Sequence, residues 1–219
     1  LCNEVAQANV SDVKQISTMF WGGGTPSSVE TPFLQKLYNA LSIKFSLKNL
    51  QEFTVECNPE SVTDEKLQFF KEIGVNRLSF GLQSVNDDTL KKIGRLHTYG
   101  QFLSALDRAQ RAGFSDINAD LILGLPESRE SFLHTVQTVA QLPLQHVSLY
   151  ALEIHDEKSD FAKLCQSYGH TEDDLADMYD AGRAILREKG FERYEVSNFA
   201  KRGFRCKHNL VYWRENRYF

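Results

Sequence analysis

The chain has 219 residues, 42% of them hydrophobic and 25% charged, which is enough for one sizeable core and short for two. Its formal net charge is -4 and no Lys/Arg cluster interrupts it, so a nucleic-acid surface has no electrostatic support. No run of about 18 apolar residues occurs, which excludes a spanning helix. The first residues, LCNEVAQANV, offer neither a start methionine nor a signal pattern, and the N-terminus is expected upstream. An apolar run at 16–21 predicts a strand, and three glycines, Gly22, Gly23 and Gly24, bare the backbone where it stops. They either allow a tight turn or let something approach the main chain more closely than a Cβ permits.

Downstream the periodicities alternate. A helical pattern near 29–43 precedes a strand in EFTVEC at 52–57 and a helix from about Thr63 to Ile73, with Thr63 as its start and Gly74 as its stop. A strand in NRLSFGLQS at 76–84 leads to helices near 86–93 and 98–112, the latter closed by Gly113. DINADLILG at 116–124 precedes a helix near 128–141, and QHVSLYALE at 145–153 is the fifth strand. Strands alternating with helices predict parallel pairing, and their near-continuous apolar character predicts a sheet covered on both faces or closed into a barrel. Residues 154–171 are polar and weakly periodic. A helix from about Glu172 to Lys189 and a further strand in FERYEVSNFA are expected to elaborate the barrel edge.

Polar residues fall where the apolar strands end: Glu56, Gln83, Asp120 and Glu153. In a parallel barrel these ends face one mouth, so Glu56, Gln83 and Asp120 would line the opening bared by the glycines, and buried carboxylates there point to a polar ligand. Other roles stay open: Glu56 as a helix cap, Asp120 as a satisfied core carboxylate, Arg95 as a solvated helix-end residue. Tyr150 reads as core. Cys2, Cys57, Cys165 and Cys206 are too scattered for a metal site or a disulfide scaffold, and Cys206 reads as structural despite the CxH spacing with His208. His97, His134, His146, His155 and His170 carry no usable pattern.

FWGGGTPS, ECNPES, GVNRLSFGLQS, GRLH and INADLILGLP, in this order, resemble the radical S-adenosylmethionine (SAM) proteins related to oxygen-independent coproporphyrinogen III oxidase. The closing YEVSNFAKRGFRCKHNLVYW resembles the HemW-type haem-chaperone branch. The resemblance implies an α/β fold: a partial (β/α)6 barrel over residues 1–155, its first strand and CxxxCxxC loop lying upstream of Leu1, with an α+β elaboration beginning at 156–219. It implies a 4Fe-4S cluster whose cysteines are not in this chain, and SAM bound at Gly22, Gly23, Gly24, Thr25, Glu56, Gln83, Arg95 and Asp120. Arg95 would take the methionine carboxylate, and Asp120 and Gln83 the ribose hydroxyls.

In the oxidase the implied chemistry is reductive cleavage of SAM to a 5'-deoxyadenosyl radical and oxidative decarboxylation of propionates. In the chaperone branch haem is bound and delivered to client proteins. HNLVYW, giving His208, Asn209, Tyr212 and Trp213, matches a haem-binding signature of that branch; apart from the resemblance, His208 could simply bond a loop and the aromatics fill core. The partners implied are haem, client proteins, an electron donor and, through clients, the membrane periphery. The implied location is cytoplasmic, or mitochondrial in a eukaryote. A coproporphyrinogen III dehydrogenase is the alternative, and a non-redox phosphate-binding barrel would leave Asp120 and HNLVYW unexplained.

Overall fold

The computed structural model of the chain describes residues 1–8 and 15–215. Five strands, β1 (Thr18–Trp21), β2 (Glu52–Cys57), β3 (Arg77–Gln83), β4 (Asp116–Leu123) and β5 (His146–Ala151), pair in parallel in chain order. Two short strands, β6 (Glu192–Arg193) and β7 (Asn198–Ala200), extend the sheet past β5 with antiparallel pairing. The order is β1-β2-β3-β4-β5-β7-β6, and the sheet is not closed. The segment after residue 155 therefore adds to the same sheet.

The helices are α1 (Cys2–Gln7), α2 (Thr31–Lys44), α3 (Asp64–Glu72), α4 (Asp87–Lys92), α5 (Tyr99–Arg111), α6 (Arg129–Val139), α7 (Asp160–Gln166), α8 (Glu172–Glu188) and α9 (Lys207–Trp213). Their ends follow local chemistry. Thr63 caps α3 by accepting the Lys66 N–H, and Thr98 caps α5 in a reciprocal pair with Gln101. Gly74 and Gly113 stop α3 and α5 at φ of +90° and +85°.

The core lies between the sheet and the helices. On α5 the buried residues Phe102, Ala105, Leu106 and Ala109 follow helical spacing, and α6 buries Phe132, Val136 and Val139. They pack with Phe53 and Val55 of β2, Leu78, Phe80 and Leu82 of β3, Ile117, Ala119 and Leu121 of β4, and Val147 and Leu149 of β5.

The opposite face corrects the expectation of apolar strands on both sides. The alternating positions are Glu52, Thr54 and Glu56 on β2, Arg77 and Ser79 on β3, Asn118 and Asp120 on β4, and His146, Ser148 and Tyr150 on β5. The helices that bury the core take one face; the other is polar, carries α9 at one end and lines a cavity of about 520 Å³.

Candidate functional site

Register brings the inner polar residues level across the sheet. Glu56 pairs with Ser79, Ser79 with Asn118, Gly81 with Asp120, and Asp120 with Ser148. The cavity is lined from β1 and the glycine turn by Phe20, Gly22 and Gly23, from the central strands by Glu56, Arg77, Ser79, Asn118, Asp120, Ser148 and Tyr150, and from the last third by Asn198, His208, Asn209 and Tyr212. Tyr150 is 43% exposed and lines this cavity, which corrects its reading as core. The strand alternates up to Leu149 and Tyr150 then falls on the inner side beyond the helix layer.

The glycine turn has a specific local cause. A Cβ on Gly22 would lie 2.7 Å from Phe20 Cε1 and 2.8 Å from the Glu56 carboxyl. Glu56 leans over that bare Cα and its Oε2 accepts the Gly23 N–H at 3.1 Å. Gly23 and Gly24 hold φ of +74° and +115°, and a Cβ on either would meet nothing within 4 Å. Their backbone is both strained for other residues and open to a ligand.

Both carboxylates here are uncomfortable as anions. Burial lifts the Glu56 carboxyl above its ordinary range, the Gly23 N–H opposes that, and the charge of Asp120 reinforces it. Burial likewise lifts Asp120, against hydrogen bonds from its neighbours: Asn118 Nδ2 donates to it at 2.8 Å and Ser79 Oγ at 3.2 Å. A ligand that brings a cation or hydroxyl donors relieves this cost.

Gln83 and Arg95 stand beside this cavity, at the top of β3. The strand bulges between Gly81 and Gln83, and Gln83 is placed at φ +72°, a conformation that strains any residue with a Cβ. A Cβ on Gly81 would lie 3.0 Å from Gln83 Nε2 and 3.4 Å from Arg95 Nη2, so both side chains fold over the glycine that faces Asp120 in register. Thr25 joins them through Asn58, whose amide accepts from Arg95 and donates to Thr25. Gly24 and Trp213 lie outside the cavity wall, and Trp213 is exposed.

At the other end of the inner face α9 is pinned by a buried carboxylate. Glu52 accepts the Lys207 N–H at 2.7 Å, the His208 N–H at 2.9 Å and the Cys206 thiol at 3.2 Å. Cys206 caps α9 by accepting the Asn209 N–H, and burial pushes its thiol up to about 11. His208 bonds Thr18 Oγ1 through Nδ1 at 2.9 Å and the Tyr212 hydroxyl through Nε2 at 3.3 Å, and its ring stacks on Phe20 at 5.4 Å. Burial lowers its pKa, so the imidazole is neutral near pH 7. Beneath, Asn118 accepts from His146 at 2.6 Å and His146 bonds Tyr194 at 2.8 Å, with His146 held neutral by burial.

Arg77, Ser79, Asn118, Ser148, Asn198, Glu52 and Asn58 are absent from the sequence-predicted set. The alternation R-L-S-F-G, N-A-D and H-V-S-L-Y is the signal that could have found most of them.

The donor set can be tested against the cofactors. For SAM, the open Gly23–Gly24 backbone, the donor-seeking Glu56 and Asp120 and the Arg95 cation suit an amino-acid moiety and a ribose. For the iron–sulfur cluster the described residues do not fit. Their four cysteines are scattered and free, and among the described residues no group of three or more His, Cys, Asp or Glu could hold a metal.

The Radical SAM superfamily model matches residues 3–139. The chain is 38% identical to the heme chaperone HemW of Bacillus subtilis over all of its own length and 58% of that protein's. It is 38% identical to the mitochondrial radical S-adenosyl methionine domain-containing protein 1 of Bos taurus, covering 95% of this chain and 48% of that one. The chain thus spans about half the length of such relatives. Among solved structures, the radical SAM enzyme coproporphyrinogen III oxidase (HemN) of Escherichia coli superposes with a TM-score of 0.80 at 24% identity, over 97% of this chain and 49% of that one, which shows the shared fold. Among the described residues no helix is long and apolar enough to cross a membrane.

Proposed function

The chain belongs to the radical SAM superfamily, and from that premise we propose that it is the sheet-bearing part of a haem chaperone of the HemW type, which binds SAM, a cluster and haem and passes haem to client proteins. SAM supplies, when bound, a sulfonium open to one-electron reductive cleavage. This chain's share is to bind and orient it. Arg95 takes the methionine carboxylate, Asp120 and Gln83 the ribose hydroxyls, and Glu56, fixed by Gly23 N–H, the ammonium side of the glycine turn.

The observation that carries the haem reading is His208. Burial keeps its ring neutral near pH 7, its Nδ1 meets Thr18 Oγ1 at 2.9 Å, and among the described residues its Nε2 meets the Tyr212 hydroxyl at the longer distance of 3.3 Å. A neutral imidazole with one nitrogen oriented by a neighbour and the other weakly engaged is what iron ligation needs. The second reading is a coproporphyrinogen III dehydrogenase, in which His208, with partners on both ring nitrogens, only anchors α9.

The deciding experiment is a haem titration of the full-length protein by difference absorbance, wild type beside His208→Ala, with a coproporphyrinogen III turnover assay in parallel. Stoichiometric haem binding that weakens in the variant, without porphyrin product, is expected. Turnover without tight haem binding would overturn the chaperone reading. The SAM site has its own check: unchanged SAM affinity by anaerobic calorimetry after Glu56→Ala and Asp120→Ala would sink it.

A further inference from the structure

Asn58, the first residue after β2, occupies a junction. Its Nδ2–H donates to Thr25 Oγ1 at 3.1 Å, on the glycine turn, and its Oδ1 accepts from Arg95 Nη1 at 3.3 Å. Its backbone is fixed independently of that side chain. The Asn58 N–H donates to the buried Ser27 Oγ at 3.0 Å, and its carbonyl accepts the Ser61 N–H and hydroxyl, both at 3.0 Å. The amide therefore projects from a tethered main chain, with little freedom to drift.

The space above β3 shows what it is tethered for. A Cβ on Gly81 would lie 3.3 Å from Asn58 Oδ1, 3.0 Å from Gln83 Nε2 and 3.4 Å from Arg95 Nη2. Three polar side chains thus converge over one bare Cα, and that Cα pairs in register with Asp120. Arg95 is a long side chain in a loop after α4, and among the described residues its hydrogen bond to Asn58 is the one that fixes its direction. An unrestrained arginine would lose a large rotamer entropy on meeting a ligand, and a pre-aimed one loses less.

We propose that Asn58 is a positioning residue: it ties the glycine turn to Arg95 and aims the guanidinium at a ligand carboxylate, so that the site prefers a nucleoside bearing an intact amino-acid end. This rests on the reading of the cavity mouth as a SAM site. An acceptor at this position is the chemical requirement. Asn58→Asp keeps it, with a carboxylate that accepts from Arg95 and from the Thr25 hydroxyl, whereas Asn58→Ala leaves both without their partner.

The test is calorimetric titration of the full-length, anaerobically reconstituted protein with SAM and, separately, with decarboxylated SAM. Asn58→Ala should weaken SAM about tenfold, in the range seen when an orienting partner is removed, and leave decarboxylated SAM within about twofold. Asn58→Asp should restore SAM binding close to wild type. Arg95→Gln, at a partly exposed position, should give the same selective loss and make Asn58→Ala add little to it. Equal loss of both nucleosides in Asn58→Ala, or failure of the Asn58→Asp variant to restore SAM, would make Asn58 a structural residue and overturn the proposal alone. Wild-type protein that binds neither nucleoside would overturn the site reading and this inference together.

Discussion

At the scale of single residues the site depends on what is missing as much as on what is present. Gly22 has no Cβ because the Glu56 carboxyl and the Phe20 ring fill that place. Gly22→Ala is expected to push the Glu56 carboxyl off the Gly23 N–H, costing SAM affinity about tenfold with a stability loss of about 1–2 kcal/mol; calorimetry set beside a thermal melt separates the two, and intact SAM affinity would show that Glu56 is not needed where it stands. Asp116 offers a pH prediction. Burial pushes its carboxyl up to about 6, against the attraction of Arg77, which lies 3.8 Å away and makes no hydrogen bond to it. An unfolded aspartate loses its proton near 3.8. The native state therefore binds more protons between those values, and this carboxyl lowers stability as pH rises through that window, by roughly 3 kcal/mol at most. Asp116→Asn removes that slope. Chemical denaturation of wild type and variant between pH 4 and about 7 should show the difference between them growing with pH; a constant difference would mean that Asp116 titrates normally. His146, kept neutral by burial, acts in the other sense, its contribution falling as pH drops below 6.5, and it is common to both proteins.

At the scale of elements, α9 shows how a short helix can be held without an apolar face. It buries no residue of its own, and isolated helices this short do not persist in water. Glu52 substitutes for packing by accepting two backbone N–H groups and a thiol at the helix start. Glu52→Gln puts an amide donor against one of those N–H groups. It should destabilise the protein by about 2 kcal/mol, the scale of a hydrogen bond to a charged group, and speed amide exchange across residues 207–213. Unchanged protection there would show that α9 is anchored elsewhere. Because His208 rides on this helix, the same variant should weaken haem binding if His208 is the ligand.

At the scale of the whole molecule, the sheet sorts its two faces by chemistry. Helices cover the face built of Phe53, Leu78, Ile117 and Val147, and hydrogen bonds knit the other. Asn118 is the hub of the second face. It donates to Ser79 and Asp120, accepts from His146 and Ser148, and through His146 and Tyr194 reaches the backbone N–H of Cys206 at the start of α9. Asn118→Leu should cost about 3 kcal/mol or more, because several buried polar groups lose their partner at once. Urea unfolding measures this, and a loss below about 1 kcal/mol would mean that the inner face tolerates apolar residues like an ordinary core.

The order of strands and helices, their caps at Thr63 and Thr98 and their stops at Gly74 and Gly113 follow from local chemistry, so the sequence by itself determined the α/β alternation and, through its ordered motifs, the superfamily. Glu56 and Asp120 were legible because a carboxylate inside an apolar run stands out. Arg77, Ser79, Asn118 and Ser148 were not singled out, because alternation with Leu, Phe, Ala and Val reads as an apolar strand until the face each residue takes is known. Asn58 lies inside the ECNPES motif, but nothing local gives it a role: its partners Thr25 and Arg95 are 33 and 37 residues away, and the register of three strands brings them together. The tertiary structure decided that one face of the sheet is polar, that Glu52 meets α9 across 155 residues of chain, and that a tyrosine read as core lines the cavity. Each is a contact between distant segments, fixed by which strands pair and in which register rather than by the residues alone.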